Sequence, residues 1–159
     1  MISSTLICRT IFRNDFRTRR LMMTTKPDCK IIRPKTSYDG KQGFSYFEGI
    51  AAETAGSTGV CMHLLTIPPG GKAKAHKHEN HETAIYVISG EAHTWYGDQL
   101  EKHVIVKAGE FFYIPAGMPH LPANLGEQPC VAVIARTDPN EQESVILLPE
   151  LEALVKVAP

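Results

Sequence analysis

The chain reads as short apolar runs, each closed by glycine or proline. Residues 44–52 form the first strand candidate. Residues 60–67 form the second, stopped by Pro68, Pro69, Gly70 and Gly71, a strong turn signal. Residues 72–78 alternate small and polar side chains, and 84–88 (AIYVI) have strand composition and end at Ser89 and Gly90. Residues 91–96 and 101–107 flank Gly97, Asp98 and Gln99, which predicts a hairpin. Residues 111–114 end at Pro115, Ala116 and Gly117, and 121–124, 130–137 and 144–148 complete the series. About ten short strands with turns every ~8–12 residues predict an all-β barrel or sandwich. One helix is predicted, over residues 149–156. Pro149 suits a first turn, acids come early and Lys156 late, and Leu151, Leu154 and Val155 recur at helical spacing. It is expected to pack on the outside of the barrel.

Composition changes this picture at one place. The 159 residues carry 17 Lys plus Arg and 17 Asp plus Glu, a formal charge of zero. That length fits one domain able to bury a core without staples. The balance argues against a nucleic-acid binder with a dominant basic field. It also hides a split: residues 1–23 hold five arginines against Asp15, a charge of +4, which leaves −4 on residues 24–159. The basic segment is expected to lie outside the fold. It reads as an extension ahead of a start at Met22 or Met23, or as a mitochondrial-type transit peptide. Residues 24–159 then form the single working domain, expected in the cytoplasm. The longest apolar run after residue 23, CVAVIA at 130–135, is too short to cross a bilayer, so no membrane partner is expected. Cys8, Cys29, Cys61 and Cys130 are scattered and read as free thiols.

The candidate chemistry lies in the histidines. His76, His78 and His81 fall within six residues, in HKHENHE. On a strand, side chains alternate, so His76 and His78 share one face and can share a metal ion. A short turn can return Glu82 or His81 to the same ion, and His120, after Pro115, Gly117 and Pro119, is the candidate third imidazole. Imidazoles with one carboxylate suit Fe, Mn, Ni, Cu or Zn better than Ca or Mg. His63, in an alternating strand, and His93 and His103, facing across the hairpin, read as structural. Met62, Leu64, Tyr86, Trp95, Phe112, Tyr113 and Ile134 are candidates to line a pocket above the metal.

At these residues the sequence resembles the cupin superfamily. Gly70, five residues, His76, Lys77, His78, three residues and Glu82 follow the first cupin motif, although seven residues rather than six separate Glu82 from Gly90. Gly109, five residues, Pro115, Ala116, Gly117, two residues, His120, three residues and Asn124 follow the second motif at every spacing. Eighteen residues separate the motifs, and the resemblance covers about 60–137. It implies a double-stranded β-barrel, a jelly roll, holding one divalent transition metal ion on His76, His78, His120 and Glu82. The family interval counted back from Gly90 lands on Thr83, whose face His81 shares on a regular strand. The fourth ligand therefore lies between Glu82 and His81, with Glu82 preferred and Thr83 not expected to bind. Asn124 is expected to tie a loop.

The resemblance further implies a metal-dependent enzyme on a small carboxylate, sugar or phenolic substrate, of oxygenase or lyase/isomerase type. Glu82, if not a ligand, could act as a base beside the metal. A non-catalytic small-molecule-binding module is the alternative, and an isomerase that uses the histidines without metal ranks lower. A homodimer is expected by analogy, with the 44–52 strand pairing across it.

Overall fold

The computed structural model describes residues 28–33, 37–140 and 144–155. The basic segment 1–23, with Cys8, lies outside the described residues. Strands β1 (Ser37–Asp39), β2 (Ser45–Ile50), β3 (Cys61–Ile67), β4 (His76–His78), β5 (Thr83–Ser89), β6 (Glu91–Tyr96), β7 (Lys102–Lys107), β8 (Phe111–Ile114), β9 (His120–Ala123), β10 (Cys130–Arg136) and β11 (Val145–Leu147) follow in order. Short helices α1 (Ala52–Ala55) and α2 (Pro149–Glu152) complete the elements. One sheet runs β1-β2-β3-β10-β5-β8 and the other β11-β4-β9-β6-β7, all pairs antiparallel. This is the double-stranded β-barrel that the punctuated strand pattern and the two motifs imply.

Alternation sets which side chains meet inside. In β3, Cys61, His63, Leu65 and Ile67 are buried and Met62 and Thr66 exposed. In β10, Cys130, Ala132, Ile134 and Arg136 are buried. The two strands pair without a slip from Cys130 opposite Ile67 to Arg136 opposite Cys61. A one-residue shift would turn every inward side chain to solvent, so burial of this face fixes the register. Phe44, Tyr46, Leu65, Ile67, Val87, Val106, Ala132 and Ile134 pack between the sheets as the inner core. Cys29 is exposed, and Cys61 and Cys130 are buried.

A second cluster lies on the outer face of the five-stranded sheet. Ala75, Leu100, Leu121, Leu151 and Val155 pack there, with Trp95 and Leu148 against them. Here the terminal helix docks, through Leu151 and Val155, while Leu154 stays exposed. The helix is shorter than the expected 149–156, ending at Glu152, and Lys156 lies outside the described residues. Its docking is also polar: Glu152 Oε1 accepts from the Ala75 amide at 3.2 Å, and Lys72 Nζ donates to the Val155 carbonyl at 3.3 Å. The segment leading into β4 is thereby pinned from outside.

Two local elements differ from the expected pattern. The first strand stops at Ile50 rather than at 52, because Thr54 Oγ1 accepts from the Ala51 amide (2.9 Å) and donates to the Gly49 carbonyl (2.7 Å), starting α1. Strand β1, unforeseen in the sequence, pairs with Ser45, Tyr46 and Phe47 of β2. That edge of β2, expected to pair across a dimer, is thus occupied by the chain itself.

Candidate metal centre

Strand β4 carries His76 and His78 on its buried face, with Lys77 turned outward. Antiparallel β9 places His120 directly opposite His76. The loop that delivers His120 is anchored at Gly117, whose amide donates to the His78 carbonyl at 2.7 Å. Gly117 has φ +77°, a conformation glycine adopts without strain. Asn124 closes the same strand: its Nδ2 donates to the Ile67 and Gln128 carbonyls (2.9 and 2.8 Å) and its Oδ1 accepts from the Gly126 amide (2.9 Å). It ties a loop, as its position in the motif implied.

The three imidazoles converge. Ring centroids lie 5.1 Å apart for His76 and His78, 4.2 Å for His76 and His120, and 5.3 Å for His78 and His120. One nitrogen from each falls within 4.8 Å of the others, so a single ion can reach all three. His76 Nδ1–H donates to the Lys74 carbonyl at 2.8 Å, and His120 Nδ1–H to the Met118 carbonyl at 2.9 Å. A carbonyl only accepts, so each ring holds its proton on Nδ1 and leaves a lone pair on Nε2. His78 Nδ1 is buried with no hydrogen-bond partner among the described residues.

Burial keeps these rings neutral. His76 is held well below its ordinary 6.5, first by burial and then by His120, against the opposing Lys74 bond. His78 is likewise lowered, by burial first and by the Arg136 charge second. His120 falls to about 4, by burial first, with Arg136 adding to the shift and the Met118 carbonyl opposing it. Neutral imidazoles with fixed tautomers and a partnerless buried nitrogen are the donor set a transition metal ion takes. The residues present therefore fit such an ion, which His76, His78 and His120 would hold.

Glu82 is not brought to the three. It is exposed, and its Oε1 accepts from the Tyr113 hydroxyl at 2.8 Å. Strand β5 pairs regularly with Ile114, Tyr113 and Phe112 of β8 from Thr83 onward, so no bulge rotates Glu82 inward. Parity instead turns Thr83 and His81 to the inside. His81 is buried beside the cluster, its ring 4.5 Å from that of His78, with Nδ1 2.7 Å from Ser144 Oγ and 3.4 Å from Asp138 Oδ2. Thr83 Oγ1 is buried with no hydrogen-bond partner among the described residues.

The imidazoles open on a partly open interior cavity of about 50 Å³. Of the side chains expected to line it, Phe112 and Ile134 do; Met62, Tyr86 and Tyr113 are exposed instead, and neither Leu64 nor Trp95 reaches it. Arg136 also lines it and was not anticipated, though the signal was available. It sits in phase with Cys130, Ala132 and Ile134 on an otherwise apolar strand face, where a charge is rare without a purpose. His63 is buried, its Nδ1 accepting from the Gly49 amide at 3.3 Å. His93 and His103 meet on the outer face, Nδ1 to Nε2 at 3.2 Å.

Solved structures of similar fold support the architecture. A conserved protein with a double-stranded β-helix domain from Klebsiella pneumoniae matches with TM-score 0.53 at 22% identity, covering 73% of this chain and 89% of that one. An oxalate oxidase in complex with the substrate analogue glycolate matches with TM-score 0.58 at 24% identity, covering 79% and 63%. An oxalate decarboxylase formate complex from Lactobacillus farciminis matches with TM-score 0.61 at 19% identity, covering 76% and 36%. The chain thus spans less than two thirds of either oxalate enzyme. No curated protein matches the chain. The cupin domain family model matches residues 63–135, the stretch that holds both motifs and all three converging histidines, and over that stretch the chain carries a cupin domain.

Proposed function

We propose that this protein is a mononuclear transition-metal cupin enzyme, of oxidoreductase type, acting on a small molecule bound in the barrel interior. The observation that carries the reading is the convergence of three buried, neutral imidazoles on one point beside an interior cavity. Three ligands from the protein leave coordination positions open. When bound, the ion supplies Lewis acidity or access to dioxygen chemistry. The chain's own residues do the rest. The Lys74 and Met118 carbonyls fix two of the rings, and apolar side chains of both sheets exclude water. The likeness to an oxalate oxidase adds support at the level of fold.

Elemental analysis of the purified protein, followed by oxygen consumption against small acids, catechols, thiols and β-diketones, tests this. One metal ion per chain with turnover is expected. Tight ligand binding without turnover would return the protein to a binding role, and absence of metal would overturn the centre itself.

The same reading includes a homodimer. Phe47, Met62, Tyr86, Ile88, Phe111 and Tyr113 are exposed on the six-stranded sheet, and a surface so rich in apolar side chains favours a second copy. A monomer by light scattering at micromolar concentration would remove this part.

A further inference from the structure

We propose that Asp138 and Ser144, acting through His81, set the orientation of His78, the third imidazole of the cluster. The consequence for an ion rests on the preceding reading; the orientation of the ring does not. Two of the three rings are fixed from close by in sequence. His76 and His120 each donate Nδ1–H to the carbonyl two residues earlier, at Lys74 and Met118. Both carbonyls lie ahead of a strand, where the chain can turn them toward the ring. For His78 the corresponding carbonyl is that of His76, which lies inside β4 between β9 and β11. His78 Nδ1 is accordingly buried without a hydrogen-bond partner among the described residues.

What bears on the His78 ring instead is His81. Its ring centroid lies 4.5 Å away with 32° between the planes, nearer than the rings of His76 (5.1 Å) and His120 (5.3 Å). His81 is not one of the three residues whose nitrogens converge. It is held in turn by a separate segment, after β10. Its side chain is wholly buried, with Nδ1 2.7 Å from Ser144 Oγ and 3.4 Å from Asp138 Oδ2. Ser144 Oγ lies 3.4 Å from the same carboxylate oxygen. A carboxylate only accepts, so the chain closes when His81 Nδ1–H donates to Ser144 Oγ and the Ser144 hydroxyl donates to Asp138.

The backbone is stitched at the same place. The Glu79 amide donates to the Ser144 carbonyl at 3.2 Å, the Glu82 amide to Thr137 Oγ1 at 3.0 Å, and the Thr137 amide to the Glu82 carbonyl at 3.2 Å. The turn that follows His78 is thus docked on Thr137 and Ser144, and the side-chain relay carries that docking to the ring. A buried ring packed on a hydrogen-bonded ring cannot swing without displacing it. Asp138, Ser144 and His81 are therefore positioning residues, which hold His78 toward His76 and His120 as the Lys74 and Met118 carbonyls hold the other two.

The test follows His78 in the full chain, with and without Co(II). On chelator-treated protein, NMR records the ring nitrogen shifts of the three histidines and the NOEs from the His78 ring to those of His76 and His120. On Co(II)-loaded protein, the visible spectrum and the rate of loss to a chelator are measured. Ser144→Ala and Asp138→Ala should move the His78 ring signals and weaken its NOEs, and leave the His76 and His120 nitrogen shifts in place. Co(II) should leave about three- to tenfold faster in these variants and about ten- to a hundredfold faster in His81→Ala, with an altered visible spectrum. Unchanged His78 signals in Ser144→Ala, or equal displacement of all three rings, overturns the proposal, and so does a Co(II) spectrum and loss rate equal to the parent's. If His81→Ala does not fold, Ser144→Ala, at a half-buried position, decides alone. Failure of the parent protein to bind Co(II) sinks the metal reading and leaves the NMR measurements to judge the positioning.

Discussion

Two groups of histidines sit on the same five-stranded sheet and face opposite ways. His76, His78 and His120 point into the barrel from β4 and β9. His93 and His103 lie on the outer face of β6 and β7, stacked with Trp95, whose ring is 4.5 Å from that of His103. In each group imidazole nitrogens approach one another. The inner rings give two protons to backbone carbonyls and aim their lone pairs at a common point. The outer rings meet each other, and His93 Nε2 lies 3.4 Å from Glu91. The number of histidines in a stretch therefore says little about a ligand set. Strand parity and a backbone acceptor on the far side of the ring decide it.

The largest effect that can break this contrast is loss of metal. The double variant His76→Ala/His120→Ala is expected to fall from one ion per chain to none, and His93→Ala/His103→Ala to keep its full content, both by elemental analysis. Retention of metal by the first pair would erase the distinction. The next effect is acid sensitivity of the metal-free protein. The inner rings have lowered folded pKa values, so between about 6.5 and the folded value the unfolded chain binds more protons. Stability is therefore complete above about pH 6.5 and falls as the pH drops, for His120 down to about 4. The span corresponds to about 3 kcal/mol for that ring alone. His120→Gln should flatten the pH dependence of urea midpoints between these values, whereas His103→Gln should leave it in place. By NMR the inner rings should show no titration between pH 5 and 8.

How much of this was legible follows from the kind of signal each residue carries. The motif spacings name His76, His78 and His120, because ligand spacing is a local property of strands and turns. The short strands at 91–96 and 111–114 were readable to the residue, since glycine or proline closes each one. Strand β1 was not, because Ser37–Asp39 has no apolar pattern and exists only through its pairing with β2. Helix α1 was hidden for a similar reason: its start depends on Thr54 reaching back to Gly49 and Ala51. Arg136 was legible by phase alone, but its place on the cavity wall opposite Thr83 appears only when β10 is laid beside β5.

A smaller effect sharpens the contrast from behind the sheet. Leu121 and Ala75 lie on the outer face immediately next to His120 and His76, and the terminal helix covers them. Leu151 is that helix's buried anchor. Leu151→Ala should cost about 2–3 kcal/mol in denaturant melts, by the usual cost of a cavity at a partly rigid site. Metal content should not change, because the rings are held by backbone carbonyls on the inner side. A fall in metal stoichiometry at full folding would show that the outer cluster also positions the ligands.

The smallest expected effect concerns Glu82, the residue on which spacing and parity disagree. The motif's three-residue step from His78 selects it, and strand alternation turns it outward. A bulge between β4 and β5 would reconcile the two, but the pairing of Thr83 with Ile114 and of Ala84 with Tyr113 is regular. The carboxylate instead accepts from the Tyr113 hydroxyl, and that bond, with the negative charge behind it, raises the phenol above its ordinary 10. Glu82→Gln should therefore leave metal content and melting temperature nearly unchanged and let the Tyr113 phenol titrate at lower pH, read by ultraviolet absorbance. Loss of metal in this variant would mean that the turn after His78 rearranges when an ion binds, and that spacing had outranked parity.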